Sequence, residues 1–249
     1  MRYFIKLAYN GTNYHGWQSQ PNAVSVQETL EKALSLLLKN KIEIVAAGRT
    51  DSGVHAKEMF AHFDFEDVID SAFWVPKLNS YLPKDIVIYT IFEVDARAHA
   101  RFDAIERTYE YHIHSAKNAF INELSWYHFY PLNVDKMNQA SEILPEYTDF
   151  ECFSKVNTDV FTFHCKIKNA FWKQHDDQLV FTITADRFLR NMVRAIVGTM
   201  VNIGQGKIEP EHLRTIIESK NRSQAGFSAP AHGLYLTRIL YPYSTNESI

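Results

Sequence analysis

The chain has 249 residues, and a content of 46% hydrophobic and 14% aromatic residues is that of a globular protein rather than a disordered one. The net charge of -3 argues against nucleic-acid binding through bulk positive charge, so any such binding must use a local basic patch. No apolar run approaches the roughly 20 residues of a membrane span, and the N-terminus lacks a signal-peptide pattern. We therefore expect a cytoplasmic protein without a membrane anchor.

The first half of the chain is predicted to contain four strands and two helices. Residues 2–9 alternate as a strand does, and Ser25 with Glu28 forms a capping box before a helix of apolar spacing that reaches Leu38. The remaining elements are strands over 41–47, 59–65 and 85–94, and a helix capped by Asp67 that runs to about Ser80 with a kink at Pro76.

The second half is predicted to repeat this order with one added helix. Its strands cover 107–114, 165–173, 179–185 and 234–241, with a turn over 174–177. Its helices cover 134–144, 188–201 with a stop at Gly204, and a segment opened by Pro210. Each half therefore has the β-α-β-β-α-β order of a ferredoxin-like unit, which predicts an α+β fold with domains 1–98 and 99–249. A cleft between the two halves is the expected site.

The loop A-A-G-R-T-D-S-G-V-H-A, residues 46–56, has the composition of a reactive site. Gly48 and Gly53 bracket Asp51, which has Arg49 two residues before it and a hydroxyl residue on each side. Such neighbours would keep the carboxylate ionised and oriented, as a nucleophile or a base requires. Taken alone, the loop is more typical of an Asx turn between two strands.

Six motifs resemble those of the tRNA pseudouridine synthase A family, and they occur in the order that is typical of that family. The first, G-R-T-D-S-G-V-H-A, is similar to the catalytic loop of that family. The others are Y-N-G-T-N-Y-H-G-W-Q-S-Q-P, L-N-S-Y-L-P-K-D-I, A-R-F-D-A-I-E-R-T-Y-E-Y, F-L-R-N-M-V-R-A-I-V-G and A-P-A-H-G-L-Y-L. The resemblance covers nearly the whole chain, from residue 3 to about residue 241.

The resemblance implies an enzyme that converts uridine to pseudouridine at positions 38, 39 and 40 of the tRNA anticodon stem-loop. It also implies two RRM-like halves that form one extended, mainly antiparallel sheet with helices packed on it, and a homodimer that shares the bound tRNA. The reaction is an isomerisation without redox change or phosphate transfer. We therefore expect no cofactor and no metal, and the sequence has neither a P-loop nor a G-x-G-x-x-G motif after a strand.

The resemblance also implies roles for residues of the loop and of the strand after it. Asp51 is the catalytic aspartate, with attack at C1′ and at C6 both open. Arg49 helps to extrude the target nucleotide, the alternative being a surface arginine that caps the loop. Tyr109 stacks on the uracil and is a candidate to take the C5 proton, whereas Tyr111, on the same strand face, better fits a core tyrosine.

Arg194 matches the arginine of the family's M-V-R motif, and we expect it to pair with Asp51. Arg187, Arg190 and Arg194 follow i, i+3, i+7 spacing, so we predict them on one helix face, toward RNA or toward solvent. The preceding segment A-D-R-F-L-R departs from the small-residue form common in the family, which affects RNA contact there rather than the chemistry. Leu234 is expected to form an apolar wall behind the base, the alternative being a core leucine.

Charge and the first loop indicate where RNA would bind. Residues 186–222 carry seven basic and four acidic side chains, which predicts a local basic patch and salt-sensitive tRNA binding. His15, Trp17 and Gln18 follow the first strand, and both an RNA contact and a structural role are open for them.

Two rival functions stay open. A non-catalytic RRM-like RNA-binding module is the first rival, although the set of Asp51, Arg49, Tyr109 and Arg194 argues against it. A hydrolase that uses Asp51 as a base is the second, and it lacks a partner acid. Cys152 and Cys165 have no metal-ligand spacing and are expected to be reduced thiols.

Overall fold

The computed structural model describes residues 1–155 and 161–243. These divide into two compact units, an N-terminal unit of residues 1–105 with 236–243 and a C-terminal unit of residues 106–155 with 161–235. The predicted domains 1–98 and 99–249 stay a prediction, and residues 244–249 of the second lie outside the described residues.

Nine strands and five α-helices make up the regular structure of the described residues. In chain order they are β1 Arg2–Tyr9, α1 Val26–Leu38, β2 Val45–Ala46, β3 His55–Asp64, α2 Ser71–Tyr81, β4 Ile86–Val94, β5 Glu106–His114, β6 Trp126–Tyr127, α3 Val134–Ile143, β7 Ile167–His175, β8 Gln178–Ala185, α4 Met192–Gly204, α5 His212–Glu218 and β9 Leu234–Leu240. The predicted order of strands and helices is confirmed. The structure adds β6, which was not predicted because a strand of two residues leaves no visible alternation in the sequence.

The N-terminal unit has the strand order of a ferredoxin-like sheet. β1 lies between β4 and β3 and is antiparallel to both, and β2 pairs with β3, which gives the order β4-β1-β3-β2. Helix α1 begins where predicted, because the Ser25 side chain accepts a hydrogen bond from the Glu28 N–H at 3.2 Å. The buried core includes Phe4, Leu30, Leu34, Phe60 and Phe63.

The strands of the C-terminal unit also pair mainly antiparallel to one another. β8 lies between β5 and β7, and the short strand β6 is parallel to β5. Helix α3 packs on β7 and on α4. Helix α4 is the most buried helix of this unit, with 11 of its 13 residues buried. The α+β class, with mainly antiparallel sheets and helices packed on them, is confirmed.

The segment that leads to the Asp51 loop is extended but pairs as a strand only over its last two residues, so the predicted strand over 41–47 is largely wrong. The Ile42 N–H donates to Ser35 Oγ at 2.9 Å, and the Ile44 N–H donates to Glu31 Oε1 at 3.0 Å. Both acceptors are side chains of α1. The helix therefore supplies the hydrogen bonds that a neighbouring strand would otherwise supply.

Two predicted helix starts are also wrong. Helix α2 is capped by Asp70 rather than Asp67, since the Asp70 side chain accepts from the Ala72 N–H at 3.0 Å. Helix α4 begins at Met192 rather than at residue 188, because Asn191 has a φ of 66°, a left-handed conformation that no α-helix continues through. Arg187 and Arg190 therefore precede the helix, and the three arginines do not share a helix face.

The described residues contain no helix that is both long and apolar enough to cross a membrane. Residues 1–155 and 161–243 also hold no group of three or more His, Cys, Asp or Glu side chains placed to bind a metal ion. Cys152 and Cys165 are buried and unbridged, and burial raises the pKa of each thiol to about 12. Both thiols are therefore protonated and unreactive at neutral pH.

Candidate active site

The Asp51 loop is held against the loop that follows β1. The Thr50 hydroxyl is 2.8 Å from the Tyr9 hydroxyl, and the Trp17 N–H donates to the Thr50 carbonyl at 3.2 Å. The Gly53 N–H donates to the Tyr14 carbonyl at 3.2 Å on the other side of Asp51. Asp51 itself is half-buried. Its backbone is thus anchored on both sides by loop residues some 35 positions earlier in the chain.

Two glycines are required by this arrangement and one is not. Gly16 has a φ of 88°, and a Cβ there would lie 2.4 Å from the Thr50 carbonyl oxygen. Gly53 has a φ of 76° in the turn after Asp51. A Cβ on Gly48 would meet nothing within 4 Å, and its φ lies outside the left-handed region. The fold therefore explains Gly16 and Gly53 but leaves Gly48 without a packing reason.

The tyrosines of β5 have different surroundings. Tyr109 is half-buried, and the edge of its ring meets Phe188 with centroids 5.1 Å apart and an interplanar angle of 85°. Tyr111 is fully buried, and its hydroxyl donates to the Pro230 carbonyl at 2.8 Å. Burial raises the pKa of Tyr111 well above the usual range of a phenol. The prediction that Tyr111 is the core tyrosine is confirmed, and the role of Tyr109 stays a prediction.

Arg194 lies in the first turn of α4 and is one of only two α4 residues that are not buried. Its Nε donates to the Ala229 carbonyl at 2.7 Å, and the Ala229 N–H donates back to the Arg194 carbonyl at 3.0 Å. This pair of hydrogen bonds fixes the root of the guanidinium against the segment 226–229.

Close backbone packing holds the segment 226–229 against α4. A Cβ on Gly198 would lie 1.8 Å from the Phe227 carbonyl oxygen, so only glycine fits at this crossing. The Gly226 N–H donates to Thr199 Oγ1 at 2.9 Å. Arg222 donates to the Gly226 carbonyl at 2.9 Å and to Ser228 Oγ at 3.0 Å. The segment is therefore fixed from both sides, and the position of Arg194 with it.

Comparison with known proteins identifies the family. A model of the family described as tRNA pseudouridine synthase matches residues 6–103 and 147–242. The chain is 53% identical to tRNA pseudouridine synthase A of Porphyromonas gingivalis, over 97% of each chain. It is 52% identical to the protein of that name from Bacteroides thetaiotaomicron, over 97% of this chain and 91% of the relative. For the Bacillus pumilus protein of that name the identity is 38%, over 97% of this chain and 99% of the relative. The chain belongs to the tRNA pseudouridine synthase family.

Within this member of the family, the structure distinguishes the open readings of the first loop. Trp17 is 2% exposed, and its ring packs on that of Tyr9 with centroids 5.9 Å apart. Trp17 is therefore structural, whereas His15 and Gln18 are exposed. Sequence reasoning missed the role of Tyr14, whose hydroxyl donates to Asp85 at 2.6 Å. The sequence did contain a signal for this role, since Tyr14 lies within the motif Y-N-G-T-N-Y-H-G-W-Q-S-Q-P.

Leu234, the first residue of β9, is buried at 6% exposure. The preceding residue, Gly233, would place a Cβ 2.8 Å from the ring of Tyr111. Glycine therefore allows this turn to lie directly on the core tyrosine. Burial fits both readings of Leu234, the core leucine and the apolar wall, so the latter stays a prediction. Arg49 is exposed on its loop, and its role is likewise still a prediction.

The basic stretch 186–222 does not form one patch. Arg214 donates to Glu146 and to Glu211, in both cases at 2.9 Å, and Lys220 lies 2.7 Å from an Asp149 oxygen. Arg222 donates to backbone and to Ser228, as described above. The prediction of a contiguous patch is therefore wrong for these positions, because acids distant in sequence neutralise the charge or the side chain holds the fold.

Proposed function

We propose that this chain isomerises uridine to pseudouridine in tRNA, at positions 38, 39 and 40 of the anticodon stem-loop. The observation that carries the proposal is 53% identity, over 97% of each chain, with a protein named tRNA pseudouridine synthase A. The three target positions rest on the six ordered motifs. The enzyme is an isomerase of the intramolecular-transferase type.

The reaction breaks the C1′–N1 bond of the nucleotide, turns the uracil and forms a C1′–C5 bond. A proton leaves C5 and N1 gains one, so atoms and electrons balance without a further reactant. The proposed reaction therefore requires no cofactor and no metal ion. A uridine stacked in RNA is out of reach, so the base must first be extruded.

Asp51 is the proposed nucleophile, attacking C1′ or C6. Arg49 is proposed to assist extrusion and to contact the RNA backbone. The loop anchored by Tyr9, Tyr14 and Trp17 supports this assignment, because a nucleophile must be held in place to react.

Tyr109, Leu234 and Arg194 are the proposed contributions of the C-terminal unit. Tyr109 is to stack on the extruded uracil and receive the C5 proton, with Leu234 as an apolar wall. Arg194 is to pair with the Asp51 carboxylate through its positive charge. The fixed root of Arg194 on Ala229 supports a positioned cation. A protein that only binds RNA would not need this set of residues together with Asp51.

We propose further that the protein works in the cytoplasm as a homodimer, as the family resemblance implies. Light scattering at micromolar concentration should then give twice the chain mass of 28.9 kDa. The mass of one chain under those conditions would contradict this part of the proposal.

The decisive experiment measures tritium release from tRNA that carries 5-tritiated uridine, with each position scored by sequencing. The wild type should release tritium from positions 38–40, and Asp51→Asn and Asp51→Ala should release none while still binding tRNA. Asp67→Asn, which alters an exposed aspartate of the same unit, is the matched control and should be fully active. Multiple turnover by either Asp51 variant would disprove the nucleophile assignment, and an inactive wild type would disprove the function.

A further inference from the structure

The fold gathers basic residues from four separate stretches of sequence at one end of the β5-β8-β7 sheet. This basic end consists of Arg107 at the start of β5, Lys155, Lys166 and Lys168 before and within β7, and Arg187 and Arg190 after β8. Arg107 and Ile167 both pair with Ala185, the last residue of β8, so the three strand ends meet there. Sequence order alone separates these residues by up to 83 positions.

Asp186 joins the basic end together. One of its carboxylate oxygens accepts the Lys166 N–H at 2.8 Å and the Arg187 N–H at 2.7 Å. Its carbonyl accepts from the Arg107 guanidinium at 2.8 Å. The Lys155 N–H donates to the Arg190 carbonyl at 3.1 Å, which brings a fourth stretch alongside. The Asp186 carboxylate, the Arg107 guanidinium and backbone groups thus hold the cluster, and the bonds of Lys155 and Lys166 described here are made by their backbone N–H groups.

The charge of the basic end is strongly positive although the chain is acidic. These bonds join five basic residues, and Lys168 is the sixth member of the basic end. The acids beside them are Asp186 and Glu106, the latter 2.7 Å from Lys168. Lys155, Lys166 and Arg190 are exposed. A local excess of lysine and arginine on a protein of net charge -3 fits a polyanion, and phosphates are the usual partner of such a cluster.

The basic end is continuous with the proposed uracil platform. Arg107 precedes Tyr109 by two residues on the same face of β5, a separation of roughly 7 Å along a strand. Phe188, which contacts the Tyr109 ring, lies between Arg187 and Arg190 in the chain. An RNA strand whose base stacks on Tyr109 would therefore continue directly onto these cations.

We propose that the basic end binds the phosphodiester backbone of the tRNA strand that carries the target uridine. This inference rests on the proposed function, since it takes Tyr109 as the place of the extruded base. The contacts are to phosphates, so they position the strand without reading its sequence.

The test removes three positive charges with the triple variant Lys155→Gln, Lys166→Gln, Arg190→Gln. The matched control is the triple variant Lys207→Gln, Arg214→Gln, Lys220→Gln. It also removes three positive charges, all from the stretch 186–222 but at positions outside the basic end. Filter binding of a tRNA transcript is measured across a series of KCl concentrations, beside tritium release at saturating tRNA. We expect the triple variant to bind roughly 10-fold more weakly near 0.15 M salt, with a log–log salt slope shallower by about 2 to 3. Its kcat should stay unchanged, and the control should bind nearly as the wild type does.

Each result decides the proposal. Unchanged affinity and slope in the triple variant, or an equal loss in the control, would overturn it. Thermal unfolding checks the fold, and the single variant Lys166→Glu, whose backbone contacts are kept, gives the same information if the triple variant is unstable. A wild type that releases no tritium refutes the proposed function instead, and the binding series then tests the phosphate contact alone.

Discussion

Tyr109 and Tyr111 lie on one face of one strand, and the difference in their surroundings predicts opposite effects of the same substitution. Tyr109→Phe keeps the ring that would stack on uracil but loses the hydroxyl that would move a proton. We expect normal tRNA binding and a large loss of tritium release, on the order of 100-fold or more, as for loss of a general acid or base.

Tyr111→Phe is the matched control at this scale. It leaves the half-buried Pro230 carbonyl without its donor, which should cost about 1 kcal/mol of unfolding free energy. Tritium release by the folded protein should be nearly unchanged. A Tyr109→Phe variant that releases tritium at the wild-type rate would remove the phenol from the mechanism.

Arg194→Met tests whether the charge of this arginine is needed for the reaction. The substitution removes the cation that is proposed to pair with Asp51, together with the hydrogen bond to the Ala229 carbonyl. We expect a loss of kcat on the order of 100-fold, measured as initial rates of tritium release at saturating tRNA.

Arg222→Met is the control for Arg194, because Arg222 holds the same segment 226–229 through Gly226 and Ser228. It should lower stability while the kcat of the folded protein stays near that of the wild type. Equal losses of kcat in the two variants would reduce Arg194 to a residue that supports the segment.

At the scale of the element, Gly16 in the loop after β1 and Gly48 in the Asp51 loop distinguish the needs of folding from the approach of RNA. Gly16→Ala places a Cβ against the Thr50 carbonyl at a φ of 88°, and should cost at least about 2 kcal/mol in urea unfolding. Gly48→Ala enters open space and should change stability by no more than about 0.5 kcal/mol. If Gly48 is there for the close approach of RNA, Gly48→Ala raises KM for tRNA while the protein stays as stable as the wild type.

Two results would contradict this prediction. A Gly48→Ala protein that is as unstable as Gly16→Ala would mean that the loop needs the glycine for its own backbone. A Gly48→Ala protein with wild-type KM would mean that RNA does not approach this side of the loop.

At the scale of the whole molecule, buried and half-buried histidines make the folded protein less stable at acidic pH. Burial and the charge of Arg2 lower the pKa of His62 to about 4, and its Nδ1 accepts the Ala100 N–H at 3.1 Å. Burial also lowers the pKa of His99, His114, His128 and His232. The unfolded chain binds protons first, so stability is complete above about pH 6.5 and falls as the pH decreases from 6.5 to 4.

The contribution of His62 to that loss is up to about 3 kcal/mol. His62→Asn keeps an acceptor for Ala100 but does not titrate, so its unfolding free energy should depend less on pH across the same window. Urea unfolding at pH 7, 5.5 and 4.5 measures this. Parallel curves for variant and wild type would show that the other histidines carry the whole effect.

The sequence by itself determined what depends on local pattern. Alternation predicted β1 and β5, the motif resemblance distinguished Tyr109 from the core Tyr111, and the spacing after Ser25 predicted α1 to its last residue. The ordered motifs were sufficient for the family. These features were predictable because each depends on residues a few positions apart, whose periodicity is visible in the chain.

Only the tertiary structure decided where hydrogen bonds and charges from distant residues meet. Glu31 and Ser35 replace a strand partner for the segment before Asp51, and the left-handed Asn191 starts α4 four residues later than its apolar pattern indicated. Arg214 and Lys220 are neutralised by acids some 70 positions away, while Asp186 brings together cations from three stretches. Side-chain hydrogen bonds and ion pairs carry no periodicity in the sequence, so only the folded chain shows which partners they choose.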